Sequence, residues 1–280
     1  MYLSLDDAEL ARLLSDDVPF EDITTRALAI GSLPGRVEFR ARGDMTVCGG
    51  EEAARLFALA GASARLLVPS GGVVADGTCL LQAQGSATCL HRAWKTAQVT
   101  METLSGIATS TAAIVAAASP TPVACTRKSV PGTKALGLKA VRAGGATIHR
   151  LGLSDSVLVF PEHRIFLDEV PAETIARLRR AEPERKLVVE VKSAPEAMEW
   201  AAAGADILQL EKFAPEAVAA VREDLGRRGL DQIPLLAAAG GIRADNARRY
   251  AAAGADVLVT SAPFAAPPAD VQVDFTAGSG

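Results

Sequence analysis

Beyond Pro120 the chain repeats itself. The segment Ala201-Ala202-Ala203-Gly204-Ala205-Asp206-Ile207-Leu208 returns as Ala251-Ala252-Ala253-Gly254-Ala255-Asp256-Val257-Leu258. In each copy an alanine-rich helix ends at a glycine able to take a positive φ, and an Asp precedes an apolar run. Short apolar segments alternate with helical patterns around these copies: Val123–Thr126, Ser156–Phe160, Leu187–Val191, Ile207–Leu210, Leu235–Ala238 and Val257–Thr260. Such alternation forces parallel pairing with right-handed crossovers. Two copies of one helix–turn–strand unit favour a barrel over an open sheet. Six recognisable strands predict an incomplete, TIM-like six-stranded α/β barrel spanning residues 111–265.

The first part of the chain lacks this rhythm. Asp6–Leu14 predicts a short amphipathic helix with Asp6 as N-cap, and Pro19–Thr25 an ordered loop. Val37–Arg42 and Cys79–Gln84 alternate with period two, as half-exposed strands do. Glu51–Ala60 reads as a helix after the Gly49-Gly50 break, and Gly71-Gly72 and Asp76-Gly77 as turns. Together they predict an N-terminal α+β sandwich domain over residues 1–110, with which residues 266–280 pack. His91–Ala118 carries a long helical pattern, interrupted near Ser105-Gly106, that links the domains.

Composition narrows the function classes. Of 280 residues 49% are hydrophobic and only 4% aromatic, so the core is built from Ala, Val, Leu and Ile, which suits helices packed on a parallel sheet. A net charge of −4 gives no basic face for nucleic acid, so any anion must be held by a local cluster of cations. Cys48, Cys79, Cys89 and Cys125 form no CxxC pair and read as free buried thiols of a reduced cytoplasm. The start carries early acids and no basic region, unlike a signal peptide, and no apolar run reaches the ~20 residues of a membrane span. A cytoplasmic location follows as the expectation. The charge-rich stretches Arg177–Arg185 and Arg222–Arg228 fall within helices and read as solvated faces.

In such barrels the active site lies at the C-terminal ends of the strands, and that rule selects residues. Arg127-Lys128 follow the first barrel strand, placed to hold phosphate or carboxylate. His149-Arg150 follow Gly144-Gly145. Glu190 stands near the end of its strand, and Glu211-Lys212 follow the next. The last two strands lead to Gly240-Gly241 and to Ser261, loops of the kind that hold phosphate. Glu190 and Glu211 suit either a divalent metal, Mg²⁺ above others, or ribose hydroxyls. Read singly, Glu211-Lys212 is equally a surface pair and Gly240-Gly241 an ordinary tight turn. Their convergence on one barrel mouth, with Lys95 as a further cation, points to an anionic substrate with a metal.

Taken in order, Glu21-Asp22-Ile23-Thr24-Thr25, Leu104-Ser105-Gly106-Ile107-Ala108-Thr109, Thr126-Arg127-Lys128 with Pro131-Gly132, and His149-Arg150-Leu151-Gly152-Leu153 resemble the quinolinate phosphoribosyltransferase (nicotinate-nucleotide pyrophosphorylase) family over nearly the whole chain. The resemblance implies an N-terminal sandwich beside a six-stranded barrel, and a homodimer in which one chain covers its partner's barrel mouth. It implies that Arg127, Lys128, His149 and Arg150 bind the acceptor's carboxylates and the donor's phosphates. Glu190 and Glu211 would face the ribose and the Mg²⁺-pyrophosphate, and Gly240, Gly241 and Ser261 would hold the 5-phosphate. Lys95 stands where the family carries an Arg that reaches into the partner's site.

The chain departs from that pattern at several positions. Phe160 replaces the family's Lys in the acceptor pocket, Glu211 its Asp, and Ala237 and Ala239 its Glu and Ser. These changes, with Lys128–Lys134 and Phe160-Pro161-Glu162-His163, resemble the ModD-type pyrophosphorylase branch associated with molybdenum transport. The implied activity is a type II phosphoribosyl transfer from 5-phosphoribosyl-1-pyrophosphate to a small, quinolinate-like acid. Two rivals keep the fold: a different acceptor, and a non-catalytic protein that binds a phosphorylated or oxyanion metabolite. No membrane or nucleic-acid partner is implied.

Overall fold

A computed structural model describes residues 4–278; Met1–Leu3 of the N-terminal stretch and the last two residues of 266–280 lie outside the described residues. The chain divides into two compact units. One holds the residues up to Ala112, Ser129–Gly145 and those from Pro263 onward; the other holds Ala113–Lys128 and Ala146–Ala262. The segment Ser129–Gly145, in the barrel region by sequence, thus clusters with the first unit.

In the first unit, Pro34–Arg42 is flanked by Asp270–Ala277 and Cys79–Ser86, and Ser63–Leu66 pairs with the latter, all antiparallel. Alternation along Pro34–Arg42 turns Val37, Phe39 and Ala41 inward. There Phe39 meets Phe57 of the helix Gly50–Leu59 edge to face, ring centres 5.7 Å apart. Asp6 caps the helix Asp7–Asp17 in a capping box with Glu9. The expected loop at Pro19–Thr25 instead runs into a short helix, Ile23–Ala27, because the Asp22 side chain accepts from the backbone of Thr24 and Thr25. Lys139, fully buried, donates to Glu52 at 2.6 Å and to Glu51 at 3.0 Å, so the buried charges are paired.

The helix Ala87–Ala118 runs without the break expected at Ser105-Gly106. Ser105 is satisfied by the Cys48 backbone, accepting from its N–H at 2.9 Å. Gly106 serves close approach: a Cβ there would lie 2.2 Å from the carbonyl oxygen of Pro267. At 32 residues this helix is long and apolar enough to cross a membrane by length and composition, contrary to the expectation that no such segment exists. Its Leu90, Ala93, Ala97 and Met101 are buried in the core of the first unit, so it is a core helix.

In the second unit the strands form one parallel sheet in the order Thr147–Ile148, Val123–Cys125, Val257–Thr260, Leu235–Ala239, Ile207–Glu211, Leu187–Val191, Val157–Val159. There are seven strands rather than six, and the two edge strands do not pair, which makes a half-barrel. The extra strand, Thr147–Ile148, is too short to announce itself by pattern. Leu187–Val191 is buried throughout, as parallel strands covered on both faces are.

The sequence echo is a structural one. Gly204 and Gly254 both take positive φ, +93° and +89°. Asp206 accepts from the backbone N–H of Leu187, and Asp256 from that of Leu236, each at 2.7 Å. Arg179 and Arg222, from the preceding helices, each bond the glycine carbonyl and the Asp carboxylate of one copy. Both arginines, expected on solvated faces, instead brace the turns.

Candidate active site

A cavity of about 660 Å³ opens where the parallel strands end, and the second unit supplies all of its lining. Arg127, Lys128, His149, Arg150, Phe160, Glu190, Glu211, Gly240, Gly241 and Ser261 all line it. Lys95 does not. It lies on the first unit, over the Trp94 ring at 4.1 Å, with its Nζ donating to Gln98 at 2.8 Å.

The strand Val123–Cys125 projects Thr126-Arg127-Lys128 to the mouth, where the Thr126 N–H still pairs with the Thr260 carbonyl at 2.9 Å. Cys125 itself is buried, and burial pushes its thiol up to about 12, so the neighbouring cations do not activate it. Cys48 is likewise buried, whereas Cys79 and Cys89 are half-buried and all four thiols are free.

Arg150 is the most informative side chain. It is 5% exposed, yet among the described residues no carboxylate pairs with it. Its guanidinium carbon lies 5.1 Å from the centre of the Phe160 ring. Burial, then the charge of Arg127, lowers its affinity for a proton. A cation this buried is costly unless an anion joins it. His149 is also pushed down, by burial first and then by Arg150, which holds its imidazole neutral near pH 7. Phe160 is held in turn: its backbone N–H donates to His163 Nδ1 at 2.9 Å, and the two rings stack 5.7 Å apart.

The acidic side of the cavity comes from two adjacent strands. Glu190 and Gln209 are register partners, and the Gln209 amide nitrogen donates to Glu190 at 2.7 Å. Burial first, and then the charge of Glu211, raises the Glu190 carboxyl. Two carboxylates close enough to repel suit a cation between them. Among the described residues no group of three or more His, Cys, Asp or Glu is arranged as a metal cage.

The glycine loop is a tight construction. Gly240 and Gly241 have φ of +87° and +78°. A Cβ on Gly240 would stand 3.0 Å from both Glu211 Oε1 and the Lys212 backbone nitrogen. Lys212 itself adopts φ +59°, uncommon for a residue with a side chain, and its N–H bonds the Ala239 carbonyl at 2.8 Å. Asn246 closes the loop by donating to the Gly241 carbonyl at 3.0 Å. The helix that follows, Ala247–Ala252, is only one and a half turns long. The loop backbone, more than a helix end, therefore faces the cavity.

Sequence reasoning passed over Gln209 and Arg243, although both line the cavity, as does Lys212, which it named only beside Glu211. Gln209 carries a faint signal, an amide within an apolar strand two residues before Glu211. Lys212 was visible only as half of a pair that also reads as surface.

Comparison with known proteins agrees with this architecture. Residues 107–274 match the family model for the quinolinate phosphoribosyl transferase C-terminal domain, and residues 22–105 that for the N-terminal domain. The chain is 53% identical over 253 residues to a ModD protein of Rhodobacter capsulatus that carries a pyrophosphorylase name, covering 88% of this chain and 96% of that one. It is 31% identical over 254 residues to a protein of Methanothermobacter thermautotrophicus named as a carboxylating nicotinate-nucleotide pyrophosphorylase, covering 89% and 91%. The crystal structure of NadC from Streptococcus pyogenes superposes with a TM-score of 0.87 at 26% identity, over 98% of this chain and 97% of that one.

Proposed function

The chain belongs to the quinolinate phosphoribosyl transferase family, and on that premise we propose that it transfers the phosphoribosyl group of 5-phosphoribosyl-1-pyrophosphate to a small acidic acceptor. The observation that carries this reading is Arg150, buried with no anion among the described residues in a cavity it shares with Arg127, Lys128 and Lys212. Such a site calls for a ligand with several negative charges.

In the reaction the bond from the anomeric carbon to the pyrophosphate oxygen breaks, and its electron pair leaves with pyrophosphate. The carbon gains oxocarbenium character, as in glycoside cleavage, and the acceptor's lone pair closes on it. The chain supplies no covalent nucleophile. Arg127, Lys128 and Arg150 stabilise the departing charge and orient the acceptor's carboxylates. Neutral His149 donates a hydrogen bond from one ring nitrogen. The loop at Gly240-Gly241, with Ser261, holds the 5-phosphate. Glu190 and Glu211, two carboxylates near enough to repel, would hold Mg²⁺, which would supply positive charge against the leaving pyrophosphate. Lys95, absent from this cavity, is assigned to the site of a second chain in a homodimer, which the mass of the particle in solution tests.

Phe160 favours a second form of the same reading, in which the acceptor is not quinolinate. An apolar ring gives a flat face for a heterocycle but no partner for a second carboxylate. Pyrophosphate release from the donor with Mg²⁺, with and without quinolinate, separates the cases. Release only with quinolinate makes this a quinolinate enzyme. Release with another small acid moves the acceptor. Donor binding without release under any acceptor leaves a binding protein.

A further inference from the structure

Gln209 stands on the strand Ile207–Glu211 with its side chain toward the inside of the sheet. Ile207, two residues earlier, packs with Ala237, Ala239 and Val259 in the apolar floor. Gln209 lines the cavity above that floor and is only 6% exposed. Its two register partners settle how its amide lies. On one side is Glu190, whose carboxylate only accepts hydrogen bonds when ionised. The amide NH₂ of Gln209 therefore turns to it, donating at 2.7 Å. On the other side is Ala237, whose methyl offers no donor. The carbonyl oxygen Oε1 is consequently buried with no hydrogen-bond partner among the described residues. A buried amide oxygen left in that condition is costly, and native proteins nearly always satisfy it.

Among the described residues no donor reaches it, and the surroundings indicate the chemistry of the donor it lacks. Glu190, Gln209 and Glu211 offer acceptors to a cavity that Arg127, Lys128, Arg150 and Lys212 also line. That mixture suits a molecule carrying both phosphate and several hydroxyl hydrogens, which describes a phosphorylated pentose. We infer that Gln209 Oε1 accepts the hydrogen of a ring hydroxyl of the bound phosphosugar, making Gln209 a specificity-determining residue for ribose over its deoxy forms. The inference rests on the phosphoribosyl reading above and adds a residue to it.

The test is calorimetric titration of the full chain with ribose 5-phosphate, 2-deoxyribose 5-phosphate and 3-deoxyribose 5-phosphate, in wild type, Gln209→Leu, Gln209→Met and Glu190→Ala. Wild type is expected to bind ribose 5-phosphate at least ~10-fold more tightly than one of the deoxy sugars, the size of one buried hydrogen bond. In both Gln209 variants that ratio falls to within ~2-fold, because the acceptor is gone. In Glu190→Ala a ratio of ~3-fold or more persists for the same sugar, because Gln209 keeps its carbonyl. An unchanged ratio in the Leu and Met variants overturns the inference. So does a ratio lost as fully in Glu190→Ala, since Gln209 would then act only by holding Glu190. Equal binding of all three sugars by wild type overturns it while leaving the phosphoribosyl reading standing. No binding of any phosphosugar by wild type removes that reading, and the inference with it. Two variants of different shape, each checked by its melting curve, guard against a loss caused by misfolding alone.

Discussion

The guanidinium of Arg150 lies over the ring of Phe160, with 5.1 Å from carbon to ring centre. The contact joins a buried cation to an apolar wall at the position where the family pattern has a lysine. It offers the cation a π-face but no anion, so the site keeps its positive charge for a ligand. Replacing Phe160 by Lys adds a further cation for an acceptor carboxylate and removes the flat face. Phe160→Lys is expected to raise kcat/KM for quinolinate by ~10-fold or more, the scale of one charge-assisted hydrogen bond. Equal efficiency in the two proteins would argue that Phe160 does not set the acceptor.

Arg150 makes a second, opposite pair of predictions. Arg150→Ala is expected to cut turnover by at least ~100-fold, because the transition state loses a preorganised positive charge. Its melting temperature should not fall, since the change removes a buried cation that no acid among the described residues offsets. Arg127→Ala, at an exposed position, should lose turnover comparably with an unchanged melting curve. Retained activity in either variant sinks the site assignment.

Glu190 should make stability depend on pH in a defined direction. Burial and Glu211 raise its carboxyl above the ordinary value of 4.5, so the folded chain holds this proton more tightly than the unfolded chain. Stability is therefore lost as pH climbs from that ordinary value through the raised one. Glu190→Gln removes the ionisation. It should melt higher than wild type at about pH 8, and the gain should vanish at about pH 4, where both states of wild type carry the proton. A gain of equal size at both pH values would show that the charge is not its source.

Gly240→Ala tests the glycine loop. The new methyl must accept φ +87° and a contact of 3.0 Å with the Lys212 backbone nitrogen. A loss of ~1–3 kcal/mol in denaturant unfolding is expected, with weaker phosphosugar binding. Unchanged binding would separate the loop from the ligand.

Lys139→Met tests the first unit alone. It leaves Glu52 buried without its cation, and a loss of ~3–5 kcal/mol in stability is expected. Because this ion group lies outside the cavity, ligand affinity of the folded variant should hold.

Much of this molecule could be read along the chain. The half-barrel was legible because strand and helix differ in hydrophobic period, and because Gly-Ala-Asp marks two of its turns. The cavity-lining residues at strand ends were legible for the same reason: once strands are placed, their last residues are known. Thr147–Ile148 escaped because two residues carry no period. The unbroken helix at Gly106 escaped because a glycine that breaks a helix and one that admits a neighbouring backbone look alike in sequence. Arg179 and Arg222 passed for solvated charge because their partners lie 25 to 34 residues away.

By itself, then, the sequence determined what depends on neighbours along the chain: period, caps, turn glycines, and the order of cations and acids at the strand ends. Only the tertiary structure decided which of those groups are left without a partner. Arg150 is a buried cation because no acid among the described residues reaches it in three dimensions, and Gln209 keeps an open carbonyl because the strand beside it carries an alanine. Satisfaction of a polar group depends on distances across strands that are far apart in sequence, and the fold alone sets those distances.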